Sequence, residues 1–282
     1  MEHIGGFLPF ITTHSYTKFI LACDYAIRER IICLVYGDNG AGKSWSVVEY
    51  IRSTVRMTEN GRFPYLYINL SQSEKTDRAI YNMIVQSIRG DDKRYGSASD
   101  AKAAAFDLWH RYGFRALFVD DVVEIYRTGI EAIRTFHDRG PNYPRIPIIL
   151  TTIPSIEENL KTQSRYKAFF SRIGQFCSFN KLERNDIGYL LQSLPPQKSL
   201  RFDESQEDGD KIIDALYKAA GGGEVARASF RDFDYLLKKC DMLLTIALRN
   251  YQDTIEKNPQ AIKPRFDIEL IRRAIKEIQG DL

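Results

Sequence analysis

Several absences narrow the field before any motif is considered. The chain has four cysteines, Cys23, Cys33, Cys177 and Cys240, and they are scattered. No C-x-x-C pair exists, which argues against the common zinc sites and against a disulfide framework. Reduced thiols in a cytosolic compartment are the expectation. The longest apolar runs are of strand length, well short of the ~20 residues that a membrane-spanning helix needs. The N-terminal stretch MEHIGGFLPF has no basic region followed by a long apolar one, so it does not read as a secretory signal. Charge of one sign is also scarce. The net charge is +3 over 282 residues, so any nucleic-acid contact has to come from a local patch. Neither a helix-turn-helix nor a zinc-finger pattern is visible, which speaks against sequence-specific readout. What is present, 44% hydrophobic and 27% charged residues, suits one large or two modest globular domains with a real core.

The most informative stretch is Ile31 to Ser44, IICLVYGDNGAGKS. A short apolar, β-rich run leads into Gly37, Asp38, Asn39, Gly40, Ala41, Gly42, Lys43 and Ser44, which match G-x-x-x-x-G-K-[ST] at every fixed position. A helix-compatible run, Trp45 to Val55, follows. Glycines let such a loop wrap tightly with its backbone N–H groups turned inward. Those donors, with the N-terminus of the next helix, stabilise phosphate oxygens. Lys43 is expected to reach the β- and γ-phosphates and the Ser44 hydroxyl to ligate Mg²⁺. The motif points to a purine nucleoside triphosphate, with ATP as the expected cofactor.

The rest of the first two thirds alternates strands and helices. Tyr16 to Arg30 places Phe19, Ile20, Cys23, Ala26 and Ile27 on one helical face. Strands are predicted at Ile31 to Tyr36, Phe63 to Leu70, Arg115 to Asp121 and Arg145 to Thr152. Helices are predicted at Arg78 to Ile88, capped by Thr76 or Asp77, at Lys102 to Tyr112 and at Gly129 to Arg139. Gly90 to Asp100 reads as a charged, turn-rich loop. Near-continuously apolar strands separated by helices predict a parallel sheet sandwiched by helices. From about Leu182 only helical patterns remain, punctuated by Pro195-Pro196 and Gly221-Gly222-Gly223. The expected division is an N-terminal arm and leading helix (1–30), an α/β nucleotide-binding domain (31–181) and a small all-α lid (182–282).

Ligands of parallel sheets gather at the carboxyl ends of the strands, and the strand ends here are polar. Leu117-Phe118-Val119 runs into Asp120 and Asp121. In P-loop enzymes the first such carboxylate supports the Mg²⁺ water shell and the next positions the attacking water. An ordinary buried strand stopping at a polar turn would carry the same residues. Thr151 and Thr152 end the following strand, and Thr152 is the candidate to touch the γ-phosphate or the water. Asn69 ends the second strand and is placed to orient the catalytic carboxylate. Arg172 follows an aromatic pair, Phe169-Phe170, near the domain junction. It is the candidate to stabilise transferred phosphoryl charge across a subunit interface, with Arg165 as its competitor. Arg227, with Arg231 one turn later, is the candidate to reach the phosphates from the helical region.

In that order, GDNGAGKS, LFVDD, IILTT, FFSRI and GGGEVAR resemble the motifs of AAA+ ATPases over roughly residues 14–280. FFSRI is similar to the arginine-finger box and GGEVAR to the second sensor. The lead-in THSYTKFILACDYAIRERIICLVYGDNGAGKS and the compact size resemble the TniB/TnsC group of transposition regulators and their MuB-like relatives. The resemblance implies an ATP-dependent protein that forms a ring or helical filament on duplex DNA and recruits or activates a transposase, with a target-selection protein as a further partner. It departs from the family at Asp121, where glutamate is usual. The shorter side chain implies poorer water positioning and slow hydrolysis, with Glu124 as a substitute carboxylate. It also places backbone-following DNA contacts after the second strand and in the next loop, at Lys75, Thr76, Arg78, Lys93 and Arg94. Ordinary solvated charge is the better reading of any single one of these, and Asp91 and Asp92 dilute the second cluster. Two other functions fit the same motifs: a helicase- or clamp-loader-type ATPase, and a signalling or defence NTPase that does not touch DNA.

Overall fold

A computed structural model describes residues 13–53, 63–70, 76–122, 127–138, 143–194, 200, 202, 208–223, 228–255, 260 and 263–280. Two compact units emerge. One comprises His14–Asp38 and Lys43–Phe179. The other joins Asn39–Gly42 to the helices that follow Asn180.

The first unit is built on five parallel strands: β1 (Ile32–Tyr36), β2 (Tyr65–Asn69), β3 (Ala116–Val122), β4 (Ile148–Thr152) and β5 (Ile173–Ser178). Their spatial order is β2-β3-β4-β1-β5. The fold is a parallel sheet flanked by helices, as the alternating pattern predicted, with the AAA+ P-loop layout that the motif resemblance implied. Helices α1 (His14–Glu29) and α2 (Lys43–Ser53) cover one face. There Phe118 meets Tyr50 and Tyr65, and Phe19 meets Tyr50 edge-on. On the other face Leu117 and Val119 join Ile80, Ile84, Trp109, Ile133 and Phe136. These come from α3 (Asp77–Arg89), α4 (Ala98–Tyr112) and α5 (Arg127–Asp138). The strict alternation Leu117/Phe118/Val119 puts successive side chains on opposite faces, so the strand is apolar throughout because both faces are covered.

Two features depart from the expected layout. β5 was not legible in the sequence. It is an edge strand on which Ile173 and Cys177 are buried, while Gly174, Phe176 and Ser178 are exposed. Before it come α6 (Pro154–Thr162), a 3-10 turn at Ser164–Tyr166 and the short α7 (Lys167–Phe170). The second feature lies between α3 and α4. The segment after Gly90 does not turn sharply but runs back along α3. Arg89 pairs with Asp91, Gln86 donates to the Asp92 carbonyl, and Asn82 bonds both backbone groups of Tyr95 (2.7 and 3.1 Å). Arg78 donates to the Gly96 carbonyl. One α3 side chain per turn thus holds the returning backbone, and α4 then starts beside the beginning of α3. Thr76 caps α3, its hydroxyl accepting the Ala79 N–H at 3.3 Å.

The second unit contains α8 (Arg184–Gln192), α9 (Gly209–Ala219), α10 (Phe230–Ile255) and α11 (Ile268–Gly280). Its core includes Leu190, Leu216, Leu237, Leu244 and Ile271. Among its described residues the only strand-like pairing is the two-residue bridge Leu182–Ala228. The long helix α10 begins at Phe230 within the described residues and continues to Ile255.

Candidate active site

The polar strand ends converge because the register requires it. Tyr36 of β1 lies beside Thr152 of β4, and Asn69 of β2 beside Asp120 of β3. The Gly37 N–H continues the β1–β4 ladder onto the Thr152 carbonyl at 3.2 Å. A side chain at Gly37 would run into the Phe179 carbonyl, so this first glycine answers a close backbone approach. Gly40 and Gly42 have φ of +77° and +98°, where glycine is relaxed and other residues are not. The loop then enters α2 at Lys43, leaving the first N–H groups of that helix directed at the loop. Lys43 is 9% exposed. Its ammonium donates to the Gly37 and Asp38 carbonyls at 2.6 and 2.8 Å. Ser44 is exposed at the start of the helix.

Asp120 is fully buried. Its carboxylate accepts from the Thr151 hydroxyl, from the Tyr67 hydroxyl at 2.9 Å and from the Asn69 amide at 3.4 Å. Burial, and then the nearby Asp120 charge, push the Tyr67 hydroxyl well above its ordinary pKa, so it stays neutral and donates. A carboxylate offers about four lone-pair positions. Three are occupied by donors among the described residues, and the fourth is the position that would take a water of a hydrated Mg²⁺. Ser44 and Asp120 are both hard oxygen donors of the kind that ion takes with few protein ligands.

Asp121 differs from its neighbour in backbone and exposure. Val119 pairs with Leu150 and Val122 with Thr152, so Asp120 and Asp121 together oppose Thr151 alone. This is a bulge, a device that re-aims side chains beside active sites. It places Asp121 at φ +58°, a region that aspartate and asparagine enter more readily than other non-glycine residues. The Asp121 N–H, displaced from the ladder, donates to the Thr151 hydroxyl at 2.9 Å.

Two of the expected residues have other partners in the structure. Thr151 binds both aspartates. Thr152, 1% exposed, instead donates its hydroxyl to the Val122 carbonyl at 2.6 Å. Asn69 was expected to orient the water-positioning carboxylate, yet it bonds Asp120 and the Tyr67 hydroxyl. Tyr67 itself was overlooked. Period-two spacing puts it on the Asn69 side of β2, and that was the signal available.

Arg172 precedes β5, and its carbonyl accepts from Ile32 at the start of β1. It therefore sits at the end of the sheet opposite the loop Gly37–Ser44, about 17 Å away at 3.3 Å per residue. Its guanidinium lies 3.4 Å from Asp138 and donates to the Ser171 hydroxyl and the Ala168 carbonyl. Arg165, the competitor, lies over the Tyr166 ring at 4.7 Å. Lys75, Glu124 and Arg227 lie outside the described residues. In the helical unit, the Phe230 and Arg231 N–H groups donate to the Gly40 carbonyl at 2.9 and 3.4 Å. Lys93 and Arg94 are exposed on the segment returning along α3.

Comparison with known proteins places this geometry. A family described as "AAA domain" matches residues 27–160. A Staphylococcus aureus protein described as a "potential ATP-binding protein" is 25% identical over 261 residues, covering 84% of this chain and 89% of that protein. Among solved structures, the Aeropyrum pernix ORC2 protein in ADPNP–ADP complexes superposes with a TM-score of 0.65 at 15% identity, covering 96% of this chain and 69% of that one. The Aeropyrum pernix ORC1 protein in complex with DNA superposes with a TM-score of 0.63 at 14% identity, covering 97% and 67%. At these identities the superpositions speak to the fold.

Proposed function

We propose that this chain, which carries an AAA domain over residues 27–160 in an AAA+ P-loop fold, is an ATPase that assembles on duplex DNA in its ATP-bound state and, in the finer reading, regulates a transposase. The observation that carries the ATPase reading is the Asp120 cluster beside the glycine loop. A buried carboxylate with one acceptor position left, next to a complete phosphate-binding loop, is an arrangement suited to phosphoryl transfer.

Each residue has a defined task in this reading. The loop N–H groups and the α2 N-terminus bind phosphate. Lys43 exchanges its two carbonyl partners for the β- and γ-phosphates. Ser44 and Asp120 would hold a hydrated Mg²⁺, and that ion would supply charge neutralisation at the phosphates. Asp121, partly exposed on the bulge, orients the attacking water. Arg172 is too far from its own loop to act there, so its role requires a neighbouring protomer, and this is the basis for oligomerisation. Arg231, with Arg227, follows the nucleotide state through the contact of α10 with Gly40.

The DNA and transposase parts rest on the sequence of the lead-in Thr13 to Ser44 and on the basic residues Arg78, Lys93 and Arg94. A solved protein with this fold was captured in complex with DNA, a precedent for the scaffold. The first experiment is nucleotide binding by calorimetry. Lys43→Ala is expected to lose ATP binding at least 100-fold, and unchanged affinity would remove the basis of the ATPase reading.

A further inference from the structure

The sheet has a second polar end, opposite the glycine loop, and it borders a solvent-open cavity of about 660 Å³. Four arginines border it: Arg28 and Arg30 at the end of α1, Arg115 just before β3 and Arg145 shortly before β4. Among the described lining residues Asp24 is the one carboxylate, and it already accepts the Tyr50 hydroxyl at 2.6 Å. The lining alone thus has as large a positive excess as the net +3 of the whole chain. Glu29 engages Arg28 at 2.8 Å. Among the described residues, no carboxylate forms an ion pair with Arg30, Arg115 or Arg145. Trp109 and Tyr65 supply aromatic walls, and the Arg115 guanidinium lies over the Tyr65 ring at 5.9 Å.

Arg30 adds an independent observation. The Ile31 N–H closes α1 onto the Ala26 carbonyl at 3.1 Å, and Arg30 occupies the left-handed position of that closure with φ +54°. Glycine is the usual residue there because any side chain is strained. The strained closure places the Arg30 side chain on the rim of the basic cavity.

We infer that this cavity is a second ligand site, separate from the glycine loop, for a phosphorylated small molecule that carries a planar ring. Guanidinium forks match phosphate oxygens in pairs. The volume falls within the range of small-ligand sites, and the aromatic walls suit a flat ring. Among the described lining residues the one carboxylate is Asp24, and Tyr50 already engages it, so the ligand is tested as a free anion.

Tryptophan fluorescence tests this directly. The chain has two tryptophans, Trp45 and Trp109, so Trp45→Phe leaves Trp109 in the cavity wall as the only reporter. The probes are adenosine 3′,5′-bisphosphate and inorganic tripolyphosphate, titrated in EDTA. The bisphosphate is expected to change Trp109 emission saturably, and more tightly than tripolyphosphate. Adding Lys43→Ala is expected to leave this binding intact, which separates it from the glycine loop. Arg115→Ala and Arg145→Ala should each weaken it about tenfold. Arg30→Gly should weaken it while raising the melting temperature, a pairing that a misfolded variant cannot produce. No saturable change up to several millimolar, equal affinity in the arginine variants, or tighter binding of tripolyphosphate would each overturn the proposal. So would a response confined to acidic peptides.

Discussion

The hydroxyl of Thr151 donates to the Asp120 carboxylate and accepts the backbone N–H of Asp121. One side chain thus fixes the orientation of one aspartate and the backbone of the next. The bulge leaves the Asp121 N–H without a ladder partner, and Thr151 is the residue it opposes.

Thr151→Val keeps the volume and removes both bonds. It is expected to destabilise the protein by about 1–3 kcal/mol, because a buried donor and acceptor are left unpaired. ATP turnover should fall more than tenfold with ATP affinity nearly unchanged. Thr152→Val loses only the bond to the Val122 carbonyl and should reduce stability without comparable loss of turnover. Denaturant titration with single-turnover kinetics checks both, and equal turnover losses would return the sensing role to Thr152.

Asp121 sits at φ +58°, and this changes what the shorter carboxylate means. From sequence, glutamate is expected to improve reach. The backbone opposes it, since left-handed geometry costs about 1–2 kcal/mol for most L-residues and least for aspartate and asparagine among those with a carboxylate or amide. Asp121→Asn is expected to fold normally, bind ATP and hydrolyse it about 10²-fold more slowly. Asp121→Glu should lower stability without a faster reaction. Wild-type hydrolysis by Asp121→Asn would move the role to another carboxylate, with Glu124 the first to test.

Arg172→Ala should alter stability by less than about 1 kcal/mol, because its pairing with Asp138 is partly solvated. ATP binding should persist while turnover falls at least 10³-fold. Mixing Arg172→Ala with Lys43→Ala is the sharper test. Each inactive variant supplies what the other lacks, so activity recovers if the arginine acts in a neighbour. A mixture as inactive as its components would cancel that role.

His137 gives a stability prediction that depends on pH. It is fully buried at the end of α5, and its Nδ1 lies 2.7 Å from the Ile146 carbonyl, which requires Nδ1–H to donate. Nε2 is buried without a partner among the described residues. Burial lowers its pKa below the ordinary histidine value, with the backbone hydrogen bond to Ile146 opposing. The unfolded chain therefore takes up a proton near pH 6.5 that the fold refuses. Stability should be full above about pH 6.5 and fall as the pH drops from there toward the lowered folded value. His137→Phe should flatten that slope in thermal melts between pH 5 and 8. An unchanged slope would assign it to other groups.

The sequence was most legible where one physical requirement acted alone. The glycine loop and the doubly covered strands could be read because phosphate binding and two-sided burial leave few alternatives. β5 was hidden because an edge strand buries only Ile173 and Cys177 deeply, which gives a weak pattern. The return of Asp91–Gly96 along α3 was hidden because its polarity comes from hydrogen bonds to Arg78, Gln86 and the buried Asn82, and polarity in sequence reads as solvent. Tyr67 was within reach of its period-two spacing to Asn69, whereas Thr151 rather than Thr152 depended on the β3 bulge, and no propensity in Asp120-Asp121 announces one.

The most direct measurement is fluorescence anisotropy of random-sequence duplex DNA against protein concentration, with and without ATP, over a salt series. Binding is expected only with ATP. Its logarithm should fall linearly with log salt, at about 0.9 for each phosphate neutralised. Lys93→Glu with Arg94→Glu should then lower the slope by roughly 2. Absence of ATP-dependent, salt-dependent DNA binding, in protein that still binds ATP, would contradict the DNA-assembly reading and favour a nucleotide switch that acts on other partners.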